Sequence, residues 1–220
     1  MRSLGQPEVL RSASIAALLT ALVCYPRFRL APPQPYPIWY LESVLFLGGI
    51  VLWGFVFAWH TKYSGYPVFT RSISPALFCL TTALGVVVAS GLYLWQDPIL
   101  RARAPEEYPA DLRHWLARLL FALAFSQLFL TFAPFAWLMR LTRRKGLASV
   151  LTVLFAVFVL LVQRRALPPS TVMLFWGPLL TRVVVSSLAL FCFLRGGVLL
   201  VWWLGLLLQS RHLITLLGHP

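Results

Sequence analysis

The chain has 220 residues, 60% of them hydrophobic and only 11% charged, against about 25% charged in an ordinary soluble domain. This composition excludes a typical soluble enzyme and points to an all-α membrane protein that crosses the bilayer several times. The net charge of +13 comes with no aromatic-interleaved basic patch, so it makes no case for nucleic acid.

A helix needs about 20 mostly apolar residues to span the hydrocarbon core, and the sequence offers about seven such segments. They fall near 12–25, 38–59, 75–95, 115–138, 147–162, 171–193 and 197–217. The first follows Arg2 and Arg11 as a signal sequence would. Tyr25-Pro26-Arg27-Phe28 is bulky and charged, however, and offers no cleavage site, so the segment reads as an uncleaved span. Cys24, Cys79 and Cys192 are scattered through apolar segments and read as buried packing residues, with neither a disulfide framework nor a metal cluster.

The loops set an expected orientation. Arg140, Arg143, Arg144 and Lys145 fill one short connection, and clustered positive charge marks the cytoplasmic side. That places Lys62, Arg71, Arg195 and the N-terminus inside as well. The other side holds Arg27, Arg29, Arg101, Arg103, Arg164 and Arg165, together with Asp97, Glu106, Glu107 and Asp111. The expected location is the bacterial cytoplasmic (inner) membrane, since an Arg-, Ala- and Leu-rich, Lys-poor chain suits a GC-rich bacterium.

All six acidic residues lie at or before Asp111. The helices after Leu112 therefore have no Asp or Glu with which to build a general base or a metal site. Glu106 and Glu107 sit between Pro105 and Pro109 and read as a solvated loop; an active protease using them would need that loop to re-enter the membrane. Among the histidines, His60 ends a helix, His114 begins one and His219 is next to last. His212 is the one expected to be buried. No two histidines share the i, i+4 spacing of metal ligands on one helix face, and no cofactor or metal is expected. Glu42 and Arg182 lie inside predicted spans, where an ionisable group is a functional-site hypothesis by default; the two could also pair. Arg118, Arg195 and Arg211 would snorkel to the interface.

The most unusual polar run is "FSQLFLTF", Phe125 to Phe132, with Ser126, Gln127 and Thr131 among large hydrophobes. Polar residues of this kind commonly serve as glue between membrane helices. Farther on come Phe155 and Val159 in "FAVFV", the helix "RVVVSSLALFCFLRGGVLL", and Gly205 and Gln209 in "GLLLQ". In order and spacing these segments resemble the CPBP (CAAX protease and Abi) family of glutamic-type intramembrane proteases. That family carries E-E-x-x-x-R, F-x-x-x-H and H-x-x-x-N/D on successive core helices. The resemblance puts Ser126 and Gln127 where the glutamates stand, Thr131 in place of the arginine, and Val159 and Gly205 in place of histidines. Gln209 takes the place of the final Asn or Asp, and Phe155 keeps its own.

The resemblance implies a CPBP-like four-helix core in 112–220, preceded by membrane helices and an acidic loop in 1–111. It also implies a catalytically inactive homologue, nearest to the inactive companions of myxobacterial sorting proteases (myxosortases). Such a protein would assist membrane-protein processing or C-terminal sorting by binding an active protease or a substrate's transmembrane segment. The alternative is a small permease or a subunit of a membrane transport complex, whose mark would be a broken helix or a polar lumen. Pro134 and Pro178 leave that reading open.

Overall fold

The computed structural model describes residues 4–31, 35–70, 72–103, 105, 108–164 and 172–218. Arg2, Arg71, Glu106, Glu107, Arg165 and His219 lie outside the described residues. Six helices carry the fold: α1 (Pro7–Arg29), α2 (Ile38–Ser64), α3 (Pro75–Ala102), α4 (Leu112–Thr142), α5 (Lys145–Arg164) and α6 (Val172–Gly218). All six are long and apolar enough to cross a membrane, which is the architecture of a multi-pass membrane protein. Their outer faces carry large exposed hydrophobics such as Leu22, Val87, Leu94 and Leu154, the surface that lipid covers. The first helix is longer than its apolar core predicts, because Pro7 opens it and Arg27 and Arg29 close it against the helix dipole.

Side-chain caps account for two other helix starts. Ser74 caps α3 by accepting the Leu77 amide at 3.3 Å, and Asp111 caps α4 by accepting the His114 amide at 2.8 Å. That backbone bond, with the His114 ring beside it, holds the Asp111 carboxyl below the usual carboxylate range. Two π-helical turns, Leu92–Gln96 and Leu128–Phe132, each end two residues before a proline, Pro98 or Pro134. A proline ring clashes with the carbonyl four residues back, and widening the preceding turn relieves the clash. The turns Val56–His60 and Ala122–Ser126 are also π-helical without a proline behind them; we have no physical account of these two.

Helices α1 and α2 run antiparallel, with Val9 beside Ala58 and Trp59 at one end and Cys24 beside Leu45 at the other. A buried bond from Trp53 Nε1 to Thr20 Oγ1, at 3.0 Å, ties them together. The largest apolar core runs from Ala13 and Trp53 through Phe132 and Phe135 to Phe193 and Leu208. It draws on both the 4–111 and the 112–218 parts of the chain.

The last helix is not straight. Gly197 has φ 68° and ψ −163°, a combination essentially reserved for glycine, and the chain reverses there. On the arm before it, Cys192 faces Thr81 and Thr181 bonds Gln96; on the arm after it, Trp203 bonds Thr82 and Arg211 reaches Asp97. A straight helix would set positions 181 and 211 about 45 Å apart, yet both meet neighbouring residues of α3. The two arms therefore lie antiparallel against α3, and the bend is pinned by the Val198 amide donating to the Val68 carbonyl at 2.9 Å.

This topology gathers the basic loop, the end of α2 and the Gly197 bend at one end of the bundle. There Arg140 lies 4.2 Å from the Trp59 ring, Lys145 4.5 Å from Tyr66, and Lys62 and Arg143 at 4.9 and 5.1 Å from Tyr63. Helix α4 has 31 residues and so spans about 46 Å, enough to put its two flanks on opposite sides of a bilayer. Single cysteines at Ala110 and Arg143, on a cysteine-free background, are expected to react with impermeant reagent from opposite sides. Reaction of both from one side would break the arrangement.

Candidate functional site

The residues of the CPBP resemblance lie on α4, α5 and the second arm of α6, and among the described residues the hydrogen bond within the set joins two neighbours on α4. Thr131 is buried, at 3% exposure, and its hydroxyl donates to Gln127 Oε1 at 3.2 Å one turn earlier. Gln127 and Ser126 are half-buried. Phe155 on α5 meets Phe129 of α4 edge-on at 5.7 Å, and Val159 is half-buried one turn on. Gly205 packs against Leu123, so closely that a Cβ would fall 2.5 Å from the leucine's methyl. The space at position 205 is thus already filled by α4.

Two indole bonds lock α4 to the second arm of α6: Trp115 Nε1 donates to the Gln209 carbonyl and Trp202 Nε1 to the Leu123 carbonyl, each at 2.9 Å. Gln209 takes part through its backbone, and its side chain is half-buried. Farther along α4 an apolar cleft of about 430 Å³ opens between α2, α4 and α5. Leu52, Phe55, Phe129, Trp137, Phe155 and Phe158 are among its walls.

Glu42 and Arg182 form no ion pair with each other among the described residues. Glu42 is half-buried on α2, with Oε1 lacking a hydrogen-bond partner there. Arg182 is half-buried on the first arm of α6, next to Thr181, whose hydroxyl donates to Gln96 Oε1 at 2.6 Å.

Two residues are buried more deeply than their sequence context predicts. His60 is 0% exposed, its ring 4.2 Å from Phe193 and 5.8 Å from Phe135. Neither ring nitrogen has a hydrogen-bond partner among the described residues. Asp97 is not a loop charge: it is 2% exposed and centres a polar cluster. Its Oδ2 accepts from Arg211 Nε at 3.0 Å and its Oδ1 from the Tyr108 hydroxyl at 3.0 Å. Arg211 therefore does not snorkel free, with its side chain only 17% exposed in this pair. Burial, and then the Asp97 carboxylate, hold the Tyr108 phenol above its usual range.

His212 is buried, as its sequence context predicts, with its ring edge-on to Tyr108 at 5.4 Å. Arg101 stacks over the other side of this group, 4.9 Å from the Tyr108 ring, and its guanidinium bonds the Thr215 hydroxyl. A signal for the cluster was present in the sequence: Asp97 precedes Pro98 at the end of one apolar run, and Arg211-His212 interrupts another. Both interruptions fall near the same predicted membrane face.

No family model, curated protein or solved structure matches the chain.

Among the described residues no group of three His, Cys, Asp or Glu side chains lies close enough to hold a metal ion. The cysteines are free; Cys24 and Cys192 are buried, whereas Cys79, expected to be buried, is exposed on α3.

Proposed function

We propose that the chain crosses the bacterial inner membrane seven times, N-terminus inside, and works as a non-catalytic relative of CPBP intramembrane proteases. In this reading it holds the transmembrane segment of a partner, either a sorting protease or the tail of a protein being sorted. The observation that carries the reading is the apolar cleft between α2, α4 and α5. It is bounded by Phe129 and Phe155, on the two helices that the family resemblance makes the core. Its volume of about 430 Å³ admits several bulky side chains from a neighbouring helix. Gain on docking comes from side-chain packing, because lipid tails are as apolar as the cleft itself. Seven crossings count the two arms of α6 separately, and the cation–aromatic end then faces the cytoplasm.

The alternative, a small permease or transport subunit, would use a polar lumen or a helix broken near the bilayer midplane. The break at Gly197 lies instead at the basic end, bonded to Val68, so it lends the permease no support.

A photo-crosslinking side chain at Phe158, which lines the cleft and is exposed, tests the proposal. In cells it should give a discrete adduct with one membrane segment, from a protease or a sorted tail, and Leu151→Trp should abolish it. Adducts with lipid alone would sink the binding reading. Cleavage of the captured segment that is lost on Glu106→Gln or Glu107→Gln would overturn its non-catalytic part.

A further inference from the structure

The cleft between α2, α4 and α5 opens on the lipid side, since Trp137, Leu154 and Phe158 among its walls are exposed. Acyl chains therefore reach it, and water finds nothing there to bond. Its depth says which leaflet supplies them. On α4 the walls run from Phe129 to Leu138, about 20 to 6 Å below Thr142, where that helix ends. The hydrocarbon of one leaflet is about 15 Å deep. The cleft thus spans the acyl region on the basic side, and a chain lying in it holds its headgroup level with the basic loop.

A cation stands at that mouth. Arg140 lies over Trp59, Trp59 stacks on Phe55 with ring centres 4.7 Å apart, and Phe55 is a wall of the cleft. Arg140 is itself exposed, three residues past the wall residue Trp137. Lys62, Arg143, Arg144 and Lys145 are exposed at the same end. Among the described residues none of these cations forms an ion pair. The acid at this end is Glu8, next to Val9 in the contact with Trp59. Glu42 lies near the opposite end of α2, and Asp97, Glu106, Glu107 and Asp111 fall in the stretch that ends α3 and leads into α4. Cations therefore outnumber acids at the mouth.

We propose that the resting occupant of the cleft is an anionic phospholipid, with an acyl chain between α4 and α5 and its phosphate on Arg140. A guanidinium offers paired, planar N–H donors to phosphate oxygens. A zwitterionic headgroup carries its own cation to the same place, where the loop repels it. The site is that of the proposed function, in which a partner helix displaces the lipid, but lipid binding itself needs no partner.

Delipidated full-length protein in neutral detergent, titrated with phosphatidylglycerol or phosphatidylcholine of the same oleoyl chains and read by native mass spectrometry, tests this. The first phosphatidylglycerol should bind about fivefold more tightly than the first phosphatidylcholine, the usual worth of one cation beside an anionic headgroup. Arg140→Gln should remove most of that preference, and Arg113→Gln, at an exposed arginine of the opposite end, should leave it unchanged. Leu151→Trp, which fills the cleft, should weaken both lipids alike; if it does not fold, Leu154→Trp at an exposed wall position replaces it. If Arg140→Gln does not fold, raising the salt about tenfold around the wild type should shrink the preference instead. Equal binding of the two headgroups overturns the proposal. So does a preference that survives Arg140→Gln or high salt, an equal loss in Arg113→Gln, or binding that a filled cleft leaves unchanged. The purified protein holds no partner, so these outcomes leave the partner reading standing, and a missing partner adduct in cells leaves the lipid site standing.

Discussion

Replacing Asp97 with leucine is expected to cost about 3–5 kcal/mol, the usual consequence of removing one partner of a buried ion pair. The loss is large because the change strands two groups at once. Arg211 keeps its charge with its side chain 17% exposed and without its carboxylate, and the Tyr108 hydroxyl loses its side-chain acceptor. The double change Asp97→Leu with Arg211→Leu should recover most of the deficit, since buried ion pairs exchanged for apolar side chains are often neutral or better. What remains should be the loss at the Tyr108 hydroxyl, left with the residue-97 backbone oxygen at 3.4 Å, about 1 kcal/mol. Thermal unfolding in detergent of the wild type and the three variants checks this. A double variant as unstable as the worse single variant would mean that the ion pair is not the source of the loss.

Gly197→Ala is the second large effect, on the order of 3 kcal/mol, because the bend holds a backbone conformation that is essentially glycine-only. Strain is only part of it. A Cβ at this position would stand 2.5 Å from the Val68 carbonyl oxygen and 3.2 Å from the Thr70 amide nitrogen. The same carbonyl accepts the Val198 amide, so the side chain would push apart the contact that pins the two arms. Gly196→Ala, one residue earlier, is the informative comparison: its Cβ would crowd Leu200, 2.7 Å from that residue's Cβ, but its backbone does not have the positive φ of Gly197. Trypsin sensitivity near Arg195 should rise in Gly197→Ala and much less in Gly196→Ala. Equal sensitivity in both would show that the left-handed bend is not what holds the arms together.

The helical segments were legible because the bilayer sets their length. About 20 apolar residues in a row have no other common use, and the predicted gap between 193 and 197 brackets the Gly197 break. Helix ends were less legible: α1 reaches beyond its apolar core through Pro7 and the Arg27–Arg29 turn, which hydropathy does not register. The polar run around Gln127 was visible as an anomaly, and its bond with Thr131 follows from i, i+4 spacing. Periodicity alone could not foresee the π-helical turns on either side of Gln127, which loosen that same spacing. The Asp97 cluster was the least accessible. Its partners are 114 residues apart, and a carboxylate next to a proline-rich loop reads locally as a solvated charge.

That separation has a consequence for how the chain is made. Asp97 emerges from the ribosome 114 residues before Arg211, and Arg101 precedes Thr215 by the same interval. Through the synthesis of α4, α5 and the first arm of α6, the carboxylate at the membrane border has no counter-ion from its own final partner. Only when the chain turns back at Gly197 does the second arm bring Arg211 alongside. Closing of the α6 hairpin is therefore the step that neutralises Asp97, and a chain arrested before that bend would carry a bare acid where the finished protein has a satisfied pair. Such an unpaired membrane carboxylate is the kind of defect by which quality control can tell an unfinished protein from a complete one.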